Sequence, residues 1–285
     1  MEITMTNRFV SLAPFLGLMA GLMAAGLMNG DQAATSNTAS PTQAESKAPA
    51  FEVAAIKASD PAARANGCFM KGQPGGQTFI GRCITARLLI TYSYKIIDSQ
   101  LVGGPNWLDT ELYDFDAKAD HSLTRAELAP MFQTMLADRF KLQFHRETRT
   151  MPALALTVDK AGVKMKPNDG PNEWEFAMMP APGPSMPKFK GTRCPVSYLS
   201  WWIAQRENRP VVDKTGLDGF WDFTLEFVPD GMGEGRKGPN GDPMPAMDGP
   251  TLAAALRAQL GLKLEPEKGP VDVYVIDHVE KATGN

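Results

Sequence analysis

The chain is poor in the residues that most often carry chemistry. Histidine occurs three times in 285 residues, at His121, His145 and His278, and cysteine three times, at Cys68, Cys83 and Cys194. The histidines fall in different elements, with no i, i+4 pair and no H-E-x-x-H string, so a zinc site of converging ligands is not expected. Charge of one sign is also scarce. Lys and Arg number 29 against 32 Asp and Glu, a net charge of -3. Without a basic run or stripe, nucleic acid is not an expected partner. No G-x-S-x-G elbow occurs. The glycine-rich GMGEGRKGPNGDP of 231–243 lacks the G-K-[ST] ending and the strand-to-helix setting of a phosphate loop. Carboxylates are plentiful, but nothing selects two of them as a glycosidase-like pair. No catalytic residue, no metal and no cofactor are therefore expected.

What is present points to a folded, exported protein. Hydrophobic residues make up 43% and charged residues 21%, the balance of a globular chain and not of a disordered one. After Arg8 an apolar run extends from Phe9 to Met28, with Ala24-Ala25-Gly26 as a candidate cleavage site. Residues 1–28 read as a signal peptide; the alternative is an uncleaved anchor, since 20 apolar residues can just span a bilayer. Residues 29–49 lack large apolar side chains and read as a flexible tether. Export makes a disulfide reasonable. Cys68 and Cys83 flank a hairpin signal, CFMKGQPGGQTFIGRC, and are one candidate pair; Cys83 with Cys194, each just before a predicted helix, is the other.

Hydrophobic period orders the rest. FEVAAIKA (51–58) and TFIGRC (78–83) alternate as strands. A helix follows over 85–96 with Thr85 at its N-cap, then a strand over 112–119, then a helix starting at a Thr124/Glu127 capping box. Two strands, KLQFHRETR and MPALALTVDK, close this half. Residues 167–190, rich in Pro, Gly and Met, read as a linker, and the same order then begins again. VSYLSWWIAQREN is a helix, RPVV and FWDFTLEFV are strands, PTLAAALRAQLG is a helix, and LKLEPE and VDVYVIDHVEK are the closing strands. A loop insertion falls at 229–249. The expected fold class is α+β, two similar βαββαββ-type units at 50–166 and 191–281, with Cys83 and Cys194 in matching places.

RPVVDKTGLDGFWDFTLEF (209–227) carries three aspartates and two glycines. It reads as a corner of the fold and not as an active site. Asp213 and Asp218 suit turns, because a short carboxylate accepts bonds from nearby backbone N–H groups, and Gly216 and Gly219 supply unusual backbone angles. The tryptophans are the better candidates for ligand contact. Trp107 follows a Gly-Pro corner, where an exposed ring stacks a sugar or peptide. Trp201 and Trp202 sit about 100° apart on one helix, which puts one toward the core and the other toward the rim.

The strings GGPNWL, LADRFKL, VVDKTGL and VIDHVE occur in this order. With them the chain resembles, over about residues 50–281, an uncharacterised soil-associated family of Acidobacteria defined by a domain of unknown function. That resemblance brings no activity; the domain's attachment to membrane-embedded sensor peptidases implies an extracytoplasmic sensing or binding role. The element order is also similar to the short N-terminal signalling domains of secretins and TonB-dependent receptors, which bind other proteins. The expected function is an exported, periplasmic or extracellular, non-enzymatic binding or signalling module for an envelope protein or peptide. The membrane is touched only through the N-terminal segment. The alternatives are a secreted hydrolase acting on a polymer through a carboxylate pair, and a structural envelope protein.

Overall fold

A computed structural model describes residues 48–60, 62, 67–72, 75–179, 186–229 and 247–282, all within one compact unit, 47–285. The signal peptide, nearly all of the tether and most of the 229–249 insertion lie outside the described residues. Among those described, no helix is long and apolar enough to cross a membrane.

The chain builds β1 (Val53–Ala58), β2 (Phe69–Gly72), β3 (Thr78–Thr85) and α1 (Ala86–Tyr94). A 3-10 turn leads to β4 (Leu101–Val102), α2 (Trp107–Thr110), β5 (Leu112–Lys118), α3 (Arg125–Arg139) and β6 (Gln143–Val158). There follow β7 (Lys166–Pro167), β8 (Glu175–Met179), β9 (Lys188–Pro195), α4 (Val196–Glu207), β10 (Val211–Asp213) and β11 (Phe220–Glu226). The last helix, α5 (Leu252–Ala255), continues as a π turn over Leu256–Leu260 and enters β12 (Leu262–His278). The fold is α+β, with three four-stranded sheets.

Local chemistry starts and stops these elements as expected. The Thr85 side chain accepts from the N–H of Leu88 at the head of α1. Thr124 and Glu127 close a reciprocal capping box at the head of α3, which satisfies two N–H groups that the helix itself leaves open. In β5 Tyr113, Phe115 and Ala117 are buried, and Phe223, Leu225 and Phe227 are buried along and just beyond β11, the alternation that faces a sheet onto a core. Cys68 and Cys83 form a disulfide with Cα atoms 5.1 Å apart. They sit opposite each other beside the Phe69–Arg82 pair of the β2–β3 hairpin. Cys194 is free and buried.

Three expectations need correction. The two closing strands of each half are one strand each: β6 and β12 run antiparallel along their whole length, from Leu262 opposite Val158 to His278 opposite Gln143. Each half is therefore βαββαβ after its first hairpin strands. Pro152, Pro266 and Pro270 lie within these long strands. They stand where β10 and β4, which pair only over 154–156 and 274–275, leave one side of the long strand open, and an edge position tolerates a missing N–H. The 167–190 segment is not merely a linker, because β8 lies within it and pairs with β9. Finally, Cys83 does not match Cys194. Gly81 lies opposite Phe115 and Gly191 opposite Phe223, which sets Cys83 against Arg193. Both have φ 48°, and their N–H groups donate to Asp114 (3.0 Å) and Asp222 (2.8 Å).

The two outer sheets have the orders β1-β5-β3-β2 and β7-β11-β9-β8; advancing each strand of the first by six places gives the second. The central sheet, β10-β6-β12-β4, maps onto itself reversed under the same step. The long strands cross between cores. Leu142 and Phe144 at the start of β6 pack in the first core, together with Tyr274 and Ile276 from the end of β12. Leu262 and Leu264 at the start of β12 pack in the second core, with Leu156 and Val158 from the end of β6. Each core is closed by the other half's strand.

Candidate functional site

α1 and α4 occupy matching places in the two halves, and one face of each lines the same cleft. Leu88, Thr91 and Tyr92 come from α1; Tyr198, Trp201 and Trp202 come from α4. The spacing i, i+3, i+4 is the same on both helices, so each presents a single stripe. The cleft has a volume of about 520 Å³, within the range of small-ligand sites, and junctions between structural units are where such sites concentrate.

Aromatic contacts fix the walls. Tyr92 and Trp201 meet edge to face with centroids 6.1 Å apart, and Tyr198 lies 5.3 Å from Trp201. Trp202 packs on Phe189 and Phe176, each at 5.0 Å. Polar bonds lock α4 to the end of α1: the Gln205 amide and the Trp201 indole N–H both donate to the carbonyl of Ile96, at 2.9 and 3.4 Å. Such side-chain bonds satisfy a carbonyl that follows the helix C-terminus.

Two cations are set against these rings. Lys95 caps α1 in the left-handed region, φ 53°, and its ammonium lies 3.9 Å from the Tyr92 centroid and 4.5 Å from that of Trp201. Burial, and then repulsion from Arg125, pull its pKa down to about 8. The Arg206 guanidinium lies over Trp202 at 4.5 Å, with Phe189 at 5.1 Å, and burial lowers its pKa. Glu207 is the one carboxylate on the cleft lining among the described residues. A second cavity of about 290 Å³ shares Tyr92 and is lined by Lys71, Arg125 and Glu173.

The sequence candidates divide. Trp201 and Trp202 are both half-buried and both line the cleft, where one had been expected in the core and the other at the rim. Trp107 lies elsewhere, stacked on Phe140 at 6.4 Å against the first core. Leu88, Tyr92, Lys95 and Arg206 were missed. The signal that would have found them is the repeated stripe, visible once the two helices are aligned.

The remaining chemistry is structural or solvated. His145 contacts Asp277 at 2.7 Å and Glu147 at 3.2 Å through its two ring nitrogens. His121 does the same with Asp120 and Glu127. An imidazolium can donate to a carboxylate from each of its two ring nitrogens. Those hydrogen bonds raise the pKa of each, with Glu147 foremost for His145 and Asp120 for His121. His278 turns to Glu280 instead of its neighbour Asp277. Burial pushes the Cys194 thiol up to about 12, which suppresses the thiolate. Among the described residues no group of three or more His, Cys, Asp or Glu side chains is placed to hold a metal ion. In the 209–227 corner, Asp213 accepts from the N–H and hydroxyl of Thr215, and Gly216 and Gly219 have φ 66° and 79°.

Comparison with known families matches residues 87–279 to "Protein of unknown function (DUF3738)". No match was found among curated proteins or among solved structures. The matched span covers most of the chain, both helices of the cleft and the whole of the central sheet, and the chain belongs to this family.

Proposed function

We propose that this member of a family of unknown function is an exported binding module without catalytic activity, and that its ligand lies in the cleft between α1 and α4. The observation that carries the reading is the cleft itself. It is walled by five aromatic side chains, Tyr92, Tyr198, Trp201, Trp202 and Phe227, and it has one carboxylate on its described lining. Hydrolysis through a carboxylate pair needs two such groups flanking one bond. The export part rests on the apolar N-terminal run and is supported by the Cys68–Cys83 disulfide, since such bonds persist in oxidising compartments. The repeated strand orders and the paired helix stripes favour an origin by internal duplication, with the cleft formed where the copies meet. Descent from the soil-associated, Acidobacterial branch of the family remains part of this proposal. So does a signalling role like that of short secretin-type domains, which has only element order behind it.

The test is direct. The full chain is screened by thermal shift and tryptophan fluorescence against peptides, glycans and small organic acids, and in parallel for turnover of polymer glycans, peptides and esters. Binding lost in Trp201→Ala and Trp202→Ala, without turnover, is the expected result. Turnover abolished by a single carboxylate substitution would overthrow the reading.

A further inference from the structure

Deepening the cleft reading, on which it rests, we propose that the ligand is a carboxylate with a bulky apolar body. Its carboxylate pairs with the guanidinium of Arg206, and its body lies against Tyr92, Trp201 and Leu88.

Three observations carry this. First, Arg206 is oriented and unspent. Its guanidinium carbon lies 4.5, 5.1 and 5.9 Å from the ring centroids of Trp202, Phe189 and Phe227, and among the described residues no ion pair or hydrogen bond engages its N–H groups. A guanidinium packed among rings with its N–H groups unpaired keeps the planar donor fork that fits a carboxylate with two parallel bonds.

Second, the rings are already occupied by the chain's own cations. An aromatic cleft would ordinarily suit a cationic ligand. Here Lys95 takes Tyr92 and Trp201, and Arg206 takes Trp202. A second ammonium would have to displace them or sit beside them in repulsion. Among the described residues Arg206 is the one cation and Glu207 the one carboxylate on the cleft lining, and Lys95, set against Tyr92 and Trp201, is in no ion pair there. A partly desolvated cationic site of this kind attracts an anion more strongly than an exposed one does.

Third, the wall opposite α4 is apolar and open. Leu88 is 47% exposed although it lines the cleft, and it belongs to the few large apolar side chains that the described surface leaves uncovered. Covering it together with the edge of the Tyr92 ring rewards an aromatic or branched aliphatic body. The same chemistry is offered by a free organic acid and by the C-terminus of a peptide ending in a large apolar residue.

The experiment is calorimetry on the full chain with five probes: 3-phenylpropionate, 3-phenylpropanamide, the tripeptide Ala-Ala-Phe with a free C-terminus, its C-terminal amide, and the cation 3-phenylpropylamine. The acid of at least one pair should bind ten-fold or more tighter than its amide. The stronger pair identifies the source, free acid or peptide end. Arg206→Gln should erase that preference, and Arg206→Lys, which keeps the charge without the fork, should retain part of it. Equal binding of acid and amide on the unaltered chain overturns the proposal even if Arg206→Gln fails to fold. So does binding of 3-phenylpropylamine that is lost in Glu207→Gln. Neutral or cationic ligands that bind and are lost in Trp201→Ala would sink the carboxylate while leaving the cleft reading intact. If no compound binds at the cleft, both fall.

Discussion

Asp114 and Asp222 hold the same bend in two different sheets. Each accepts the backbone N–H of a residue with φ 48°, Cys83 in one case and Arg193 in the other. A side-chain-bearing residue in that region is strained by about 1–2 kcal/mol, so the bulge needs a partner that rewards it. Asp222 is fixed further by the Asn168 amide, 2.9 Å from both carboxylate oxygens. The Arg193 N–H lowers the pKa of Asp222; for Asp114 burial works upward and is outweighed only by the Cys83 N–H bond together with nearby Ser59, Arg82 and Lys57. The sign follows from the depressed folded values. This stability is present above the ordinary carboxylate range and is lost as pH falls through the folded pKa values.

The first prediction is that acid weakens the protein below about pH 4, the ordinary carboxylate value. Asp222→Asn and Asp114→Asn should each lower stability at pH 7 by about 1.5–3 kcal/mol, the worth of a hydrogen bond to a charged group. Both should also flatten the acid limb of the profile. Melting temperatures from pH 7 to 3 check it; unchanged acid limbs in both variants would remove the aspartates from the explanation.

A second prediction concerns close approach. A Cβ on Gly191 would lie 2.6 Å from the ring of Phe223, and one on Gly81 would strike Phe115. Gly191→Ala should therefore cost about 1–3 kcal/mol by overpacking. Adding Phe223→Leu should recover part of that loss, a coupling readable in a double-mutant cycle. Gly216 is a different case: nothing lies within 4 Å, but its φ is 66°. Gly216→Val should cost more than Asp213→Ala, which loses only the bonds from Thr215. Equal soluble yields and melting temperatures for those two variants would count against the corner.

Much of this was legible in the sequence. The capping box at Thr124, the alternation in FWDFTLEF and the Cys68–Cys83 hairpin are local, and local chemistry survives folding. The matching order of elements in the two halves was legible but misaligned by one residue, because matching Cys83 to Cys194 ignored the glycine that each facing phenylalanine requires. The long strands were divided at residue 150 and at 268–270, since their continuous pairing depends on partners far away in sequence. β8 was hidden by the Pro and Gly around it, although Phe176 packs in the second core. At the cleft, Trp201 and Trp202 announced themselves by rarity. Leu88, Tyr92 and Arg206 look like ordinary helix residues until α1 is set beside α4.

The crossed strands yield a third prediction. Leu156 is encoded in the first half but is fully buried in the second core. Leu156→Ala should destabilise the protein by about 2–5 kcal/mol, the range for a buried leucine, and it should do so without splitting the transition. Trp107 packs against the first core, whereas Trp174, Trp202 and Trp221 pack against the second. Urea unfolding followed by tryptophan fluorescence in a Trp107→Phe variant therefore reports chiefly on the second core, and far-ultraviolet circular dichroism reports on the whole. The two curves should coincide, before and after Leu156→Ala. Separate midpoints would mean that the halves fold independently despite the shared sheet.

The fourth prediction uses Lys95. Its folded pKa, about 8, lies below the value near 10.4 of an exposed lysine. For a base with a depressed folded pKa, the unfolded chain holds the proton over that interval and the folded chain does not. Stability should therefore rise, by about 2 kcal/mol, as pH climbs from about 8 to 10. Lys95→Met, which keeps the apolar stem and discards the charge, should lose the rise and be the more stable protein at pH 7. Its cost is the contact of the ammonium with Tyr92 and Trp201, about 0.5–2 kcal/mol, smaller than the desolvation it relieves. The measurement is guanidinium unfolding at pH 7, 8, 9 and 10 for both proteins. A parallel pH dependence in the two would show that Lys95 keeps an ordinary pKa. The ring box would then be an exposed contact, and Arg206 would remain as the cleft's one desolvated cation.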